Sequence, residues 1–118
     1  MKPQISAVIN VKNEADKLKK CLSSLKNFAT EIIVVDMEST DNSVEIAKEF
    51  GAKIFTYRPM KYVEPARNYA LSKATGKWII LLDPDEYLSK TLKFELKYEI
   101  IQGKRKRKRE KGKKQLSC

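Results

Sequence analysis

The stretch Trp78-Ile79-Ile80-Leu81-Leu82-Asp83-Pro84-Asp85-Glu86 constrains the fold of this chain more than any other. Five apolar residues run without a polar break, and three of them are aromatic or branched at Cβ. A strand with one wet face would alternate. An unbroken run describes a strand covered on both faces, as in a parallel sheet packed between helices. Pro84 has no N–H to give to a ladder and pushes Asp83 towards extended backbone, so the strand ends there. Three carboxylates follow: Asp83, Asp85 and Glu86. Extended side chains two apart face the same way, about 6–7 Å from each other. That spacing suits a hard cation, held directly by one carboxylate and through water or a ligand by the other. Asp and Pro are equally the residues of an ordinary turn.

The rest of the chain supplies partners for such a strand. Ile5-Ser6-Ala7-Val8-Ile9 is a first β-rich run, and Ile32-Ile33-Val34-Val35, ending at Asp36, reads as a central parallel strand. Between them Leu18, Cys21, Leu22, Leu25 and Phe28 recur at helical spacing behind Asn13, a candidate cap. Ser39-Thr40-Asp41-Asn42-Ser43 is a polar turn before a second helix, in which Asn42 and Glu45 stand near capping-box spacing. Val44, Ala47 and Phe50 form its inner stripe, and Gly51 suits its C-terminal cap. A short strand over 53–57 follows, and Pro65 then opens a helix running to Gly76. Residues 88–100 match two templates, strand-like alternation and a stripe of Leu88, Leu92, Leu96 and Ile100. The stripe, with Ser89 as cap, favours helix. The order β-α-β-α-β-loop-α-β predicts an α/β fold, a Rossmann-like mostly parallel sheet with helices on both faces. In such sheets the ligand crevice lies beyond the carboxyl ends of the strands, where Asn10, Asp36, Asp83 and Asp85 all fall.

Charge is distributed unevenly. Of the net +10, residues 103–114 carry +8, with nine Lys/Arg and one Glu, which leaves +2 for the other residues. The sequence therefore divides into a domain over 1–102 and a basic tail over 103–118, expected to be disordered for want of apolar residues. Two cysteines make no disulfide framework. With no signal-like segment and no apolar run near the ~20 residues that span a bilayer, the expected location is cytoplasmic.

Motifs in register across residues 4–92 resemble those of the family 2 glycosyltransferases. They are Lys12-Asn13-Glu14 after the first strand, Glu31–Asp36 followed by Met37-Glu38-Ser39-Thr40-Asp41-Asn42, Ala66-Arg67-Asn68-Tyr69-Ala70, and Leu82-Asp83-Pro84-Asp85-Glu86. The resemblance implies the GT-A nucleotide-diphospho-sugar-binding fold, here truncated, and is strongest to enzymes of lipopolysaccharide-core type. It implies Mn²⁺ or Mg²⁺ on Asp85, with Asp83 at the metal through water or at the ribose. It implies nucleotide-sugar contacts from Asn10, Lys12, Glu14, Asp36 and Arg67. The reaction implied is inverting transfer to an envelope glycan or lipid-linked acceptor, which needs an acidic base opposite the leaving group. No candidate for that base stands in these residues, so it is expected beyond the chain end. The family commonly has Gly where Glu38 stands and a small or acidic residue where Met37 stands.

Other functions fit less of the sequence. The tail could serve as an arm attracted to anionic membrane or nucleic acid; on membrane it would put the chain at the inner face, each cation near the surface adding on the order of 1 kcal/mol. No aromatic-interleaved basic surface or nucleic-acid motif stands in the body, so no specific nucleic acid is expected. A donor-binding module without catalysis is the main alternative. No Gly-x-Gly-x-x-Gly follows any strand, which disfavours a dinucleotide site. A receiver-type regulator would need an acidic pair after the first strand and a later strand carrying Lys; neither is found.

Overall fold

A computed structural model of the chain describes residues 4–58, 64–102, 109–110 and 113–116. The strands are β1 (Ile5–Val11), β2 (Glu31–Asp36), β3 (Lys53–Thr56), β4 (Trp78–Leu82), β5 (Arg109–Glu110) and β6 (Lys113–Leu116). The helices are α1 (Ala15–Leu25), α2 (Ser43–Glu49), α3 (Glu64–Lys73) and α4 (Lys90–Gln102). They form one sheet in the order β3-β2-β1-β4-β6-β5, with every pair parallel except β5–β6.

The unbroken apolar runs fill both sides of this sheet. Ile5, Ala7, Ile9, Val34, Trp78 and Ile80 pack into one core with the inner faces of α1, α2 and α4. Val8, Ile33, Val35 and Ile79, one residue out of phase, pack with Ala70 of α3 and with Ala74 just after it into the other. Period-two alternation thus sends neighbouring residues into opposite cores, and each core needs its own helices. Leu18, Cys21, Leu22, Leu25 and Phe28 are all buried, as their spacing predicts. Gly51 ends α2 at φ +74°, with its N–H bonded to the Lys48 carbonyl. Residues 90–102 are helical, and Ser89 caps them by accepting the Leu92 N–H at 3.0 Å.

Within the tail expected to be disordered, residues 109–110 and 113–116 form strands, and the rest of 103–118 lies outside the described residues. Residues 113–116 lie parallel to β4, with Trp78 paired to Lys114 and Ile80 to Leu116. The reason is that β4 would otherwise present a row of unpaired backbone groups. Pairing to such an edge uses main-chain N–H and C=O groups and needs no apolar pattern in the incoming strand, which is why Lys-Lys-Gln-Leu gave no signal.

At the amino ends of the strands, Glu31 ties four elements together. Its Oε2 accepts from the Ser6 hydroxyl and from the backbone N–H (2.6 Å) and hydroxyl (2.9 Å) of Thr75, while Oε1 meets Lys53 Nζ at 2.8 Å. Ser6 Oγ in turn accepts the Gly76 N–H at 2.8 Å. Gly76 is required by this close approach: an added Cβ would stand 2.7 Å from Ser6 Oγ and 2.9 Å from the Gln4 carbonyl. Burial pushes the Glu31 carboxyl up, but the bonds from Lys53, Ser6 and Thr75 outweigh it and bring it down from 4.5 to about 2.

Candidate functional site

At the carboxyl ends of the strands, two loops are fastened to each other before any ligand is considered. Asn13, in the β1–α1 loop, adopts φ +52°, a left-handed conformation that Asn tolerates. Its N–H donates to Ser39 Oγ at 2.9 Å, and its Oδ1 accepts the backbone N–H groups of Thr40 (2.7 Å) and Asp41 (3.3 Å). Asn13 therefore does not cap α1. That role passes to Asp41, whose Oδ2 accepts the Ala15 N–H while Oδ1 accepts the N–H and hydroxyl of Ser43 at the start of α2. One carboxylate so serves the amino ends of two helices, where the helix dipoles favour negative charge. The Ser43 hydroxyl is the main cause holding the Asp41 carboxyl below its ordinary value. Asn42, expected to cap α2 with its own side chain, makes no such bond. Glu38 is held at φ +58°, the left-handed region that favours glycine, which accounts for the Gly common there in the family it resembles.

This clasp fixes Asp36. The Ser39 N–H donates to Asp36 Oδ2 at 3.1 Å, leaving Asp36 only 4% exposed. Among the described residues its other oxygen, Oδ1, is buried without a hydrogen-bond partner, and so is Oδ1 of Asn10 on the adjacent strand. β1 and β2 are in register here, with Asn10 beside Val35 and Val11 beside Asp36. Leaving a buried acceptor unpaired costs about 1–3 kcal/mol, which makes two such atoms on neighbouring strand ends a candidate position for a donor from a ligand or water. Asn10 lines a cleft with Val8, Leu81, Leu82, Asp83 and Glu86.

The acidic stretch after β4 folds differently from the extended pair expected from sequence. Asp83–Glu86 is a β-turn in which the Glu86 N–H bonds the Asp83 carbonyl at 2.9 Å. The Glu86 carboxylate returns the favour by accepting the Asp83 N–H at 2.7 Å. Pro84 falls at the second turn position, where its fixed φ is an advantage. The consequence is a division of the carboxylates. Asp83 lines the cleft with Asn10, whereas Asp85 lines a groove on the far side of the turn with Asp16, Lys17, Lys20 and Tyr87. Glu86 borders both, and sequence reasoning had given it no role. The three-residue interval from Asp83 to Glu86 across a proline is the signal of turn closure that was there to be read.

Of the other expected site residues, Lys12 is exposed at the start of the β1–α1 loop, and Glu14 is half-buried at the α1 cap position without a side-chain cap bond. Arg67 lies on α3 by its backbone, and its side chain is outside the described part of the structure. Asn10, Asp36 and Asp83 all stand at the carboxyl ends of β1, β2 and β4, and Asn10 and Asp83 share one cleft. Among the described residues, no group of three or more His, Cys, Asp or Glu could hold a metal ion on protein ligands alone. The donors on the acidic turn are instead hard carboxylate oxygens with room beside them. This fits a cation of the magnesium type, which keeps one or two carboxylates and takes its remaining ligands from water and phosphate.

Comparison with known proteins bears on this geometry. The family model described as glycosyl transferase family 2 matches residues 6–106. A protein of Rickettsia felis named as an uncharacterized glycosyltransferase is 43% identical over 95 residues, which are 80% of this chain and 33% of that one. The SPbeta prophage-derived glycosyltransferase SunS of Bacillus subtilis is 41% identical over 90 residues, 75% of this chain and 21% of SunS. The chain thus spans a third or less of the length of these relatives. Among solved structures, mannosyl-3-phosphoglycerate synthase from Rubrobacter xylanophilus superposes with a TM-score of 0.66 at 22% identity, covering 84% of this chain and 35% of that one. Glucosyl-3-phosphoglycerate synthase from Mycobacterium tuberculosis, in complex with Mn²⁺, UDP and glucosyl-3-phosphoglycerate, superposes with a TM-score of 0.62 at 20% identity, covering 72% and 36%.

Proposed function

Because this chain belongs to glycosyl transferase family 2 and has the GT-A type of α/β fold, we propose that its strand-end cleft binds the nucleotide half of a nucleotide-diphospho-sugar. The observation that carries this reading is the pair of buried, unpartnered acceptors, Asn10 Oδ1 and Asp36 Oδ1. Each needs a donor, and a nucleoside brings several: the ribose hydroxyls and the N–H groups of the base. Glu14 and Lys12, on the loop after β1, are the next candidates to meet ribose and phosphate, and Arg67 of α3 is a candidate for the phosphates.

The carboxylates of the turn complete the reading. Asp85 would hold Mn²⁺ or Mg²⁺ together with the donor's diphosphate, while Asp83, on the cleft side of the turn, would meet the ribose or reach the metal through water. A divalent ion there supplies charge neutralisation and Lewis acidity towards the departing nucleoside diphosphate. Glu86 keeps the turn closed, so the two aspartates are presented at fixed separation without paying to order a loop on binding. The reaction class we assign is inverting sugar transfer to an envelope glycan or lipid-linked acceptor. None of the described residues is assigned as the base that deprotonates it. The alternative reading is a module that binds donor without transferring sugar.

Calorimetric titration of the chain with UDP, GDP and their sugars, with and without Mn²⁺, tests the proposal. Binding should require the metal, and Asp85→Ala should weaken it by roughly a hundredfold, as loss of a metal ligand does. Metal-independent binding that survives Asp85→Ala refutes it. Release of nucleoside diphosphate from a bound donor in the presence of acceptor separates the transferase from the non-catalytic module.

A further inference from the structure

β4 has the composition of a segment that pairs with copies of itself: Trp-Ile-Ile-Leu-Leu, with no charge and no proline. Its side chains are covered on both faces, Trp78, Ile80 and Leu82 in one core and Ile79 in the other. Covering the faces does nothing for the two backbone edges, whose N–H and C=O groups still need partners. One edge pairs with β1, from Ile5 opposite Trp78 to Ile9 opposite Leu82. Among the described residues the other edge pairs with β6, Trp78 opposite Lys114 and Ile80 opposite Leu116. Without β6, the sheet would end on an uncharged apolar strand.

The sheet's actual borders are of another kind. β3, at one border, has four residues, begins with Lys53 and has no fully buried position. β5, at the other, has only Arg109 and Glu110. It lies antiparallel on β6, with Arg109 opposite Lys114 and Glu110 opposite Lys113. Together β5 and β6 bring three cations, Arg109, Lys113 and Lys114, and one anion, Glu110, to the last two positions in the sheet order. Glu110 opposite Lys113 favours the pairing, whereas Arg109 opposite Lys114 sets like charges against each other and weakens it. This composition does little to strengthen a strand pair. It is suited instead to refusing a further strand, because short edge strands carrying charge, lysine above all, resist edge-to-edge pairing.

We propose that Arg109–Glu110 and Lys113–Leu116 guard the edge of the sheet against a second copy of this chain. β6 occupies the backbone groups of β4, and the cations of β5 and β6 oppose the addition of another strand outside them. The basic residues at these positions then have a role within the fold, one that needs neither lipid nor nucleic acid. The proposal uses no residue of the nucleotide cleft and stands or falls apart from the function assigned there.

Sedimentation velocity of the full chain over a concentration series tests it. The parent should be a monomer, and amide hydrogen exchange at Lys114, Gln115 and Leu116 should be slowed roughly tenfold or more against an unstructured chain. Successive N–H groups of a strand point to opposite sides, so Lys114→Pro, Gln115→Pro removes a ladder donor on whichever side meets β4. That double variant should self-associate. Lys113→Thr, Lys114→Thr keeps every N–H group and a strand-forming residue at both positions, and removes only charge. It should self-associate at a concentration roughly tenfold below the parent's, while Lys113→Arg, Lys114→Arg should not. The threonine pair decides even if the proline pair unfolds: a monomer at every concentration overturns the proposal. So does a proline pair that keeps the parent's circular dichroism and stays monomeric. A parent that is itself a dimer, an arginine pair that associates as the threonine pair does, or unprotected amides over 114–116 also overturns it.

Discussion

The two ends of the sheet treat buried polar atoms in opposite ways. At the amino end, Glu31 has both oxygens engaged, by Ser6, Thr75 and Lys53, and Gly76 closes in against Ser6. At the carboxyl end, Asn10 and Asp36 each keep a buried oxygen with no partner, Glu38 and Asn13 hold left-handed backbone, and Asp83 and Asp85 face open clefts. One end has its polar groups satisfied and stabilises the fold. The other keeps unsatisfied groups and strain, which lower stability and are retained where a ligand can make use of them.

Breaking the amino end should have the largest effect on stability. Glu31 is depressed in the folded state, to about 2 from 4.5. Its contribution is therefore complete above pH 4.5 and is lost as pH falls from there towards 2. A depression of that size corresponds to on the order of 3 kcal/mol, an upper figure because the partner Lys53 is 58% exposed and screened by solvent. Glu31→Ala should cost about 2–3 kcal/mol at neutral pH and flatten the acid limb of a melting-temperature profile taken from pH 7 to 2. A variant with the parent's acid limb would remove Glu31 from this role. Nucleotide binding, at the other end, should be untouched in the folded fraction.

The clasp at the carboxyl end sharpens the contrast, because it is a satisfied network placed where the strain is. Asn13→Ala deletes the acceptor for the Thr40 and Asp41 N–H groups and puts Ala at φ +52°. A loss of about 1–2 kcal/mol is expected in urea unfolding. Nucleotide affinity should also fall, because Ser39 holds Asp36. If stability drops with affinity unchanged, the clasp positions nothing. Glu38→Gly probes the strain itself and should stabilise the fold by roughly 1 kcal/mol, since Gly relieves a φ of +58°. An unchanged denaturation midpoint would mean that Glu38 sits there without strain.

Most of this architecture was legible in the sequence, and the exceptions share a cause. Unbroken apolar runs gave β1, β2 and β4, and helical spacing gave α1 down to Phe28, because burial on a regular element writes its period into the chain. The strand ends pointed to Asn10, Asp36 and Asp83 for the same reason. What escaped depends on backbone hydrogen bonds or on side chains meeting across the chain. Residues 113–116 pair with the edge of β4 through main-chain groups. Asp41 caps two helices, one of them 26 positions away, where Asn13 and Asn42 were expected by adjacency. Asp83 and Asp85 were expected to face the same way, and the Glu86 carboxylate, bonding back to Asp83, turned them apart. Periodicity reports which face a residue occupies and is silent on which polar group finds which.

The smallest expected change in stability is also the sharpest test of the comparison. Asn10 is a polar residue whose Oδ1 is buried and unpartnered beside Val8, Leu81 and Leu82. If it served the fold, Asn10→Ala would destabilise, as Glu31→Ala should. If it is held for a ligand, removing it relieves an unpaired acceptor, and the lost packing is about offset. Stability should then stay within roughly 0.5 kcal/mol of the parent or rise, while metal-dependent nucleotide affinity falls by about tenfold, the loss of one hydrogen bond to a buried partner. A drop of 2 kcal/mol or more would give the carboxyl end the same character as the amino end. The two orphaned oxygens would then cease to mark a site.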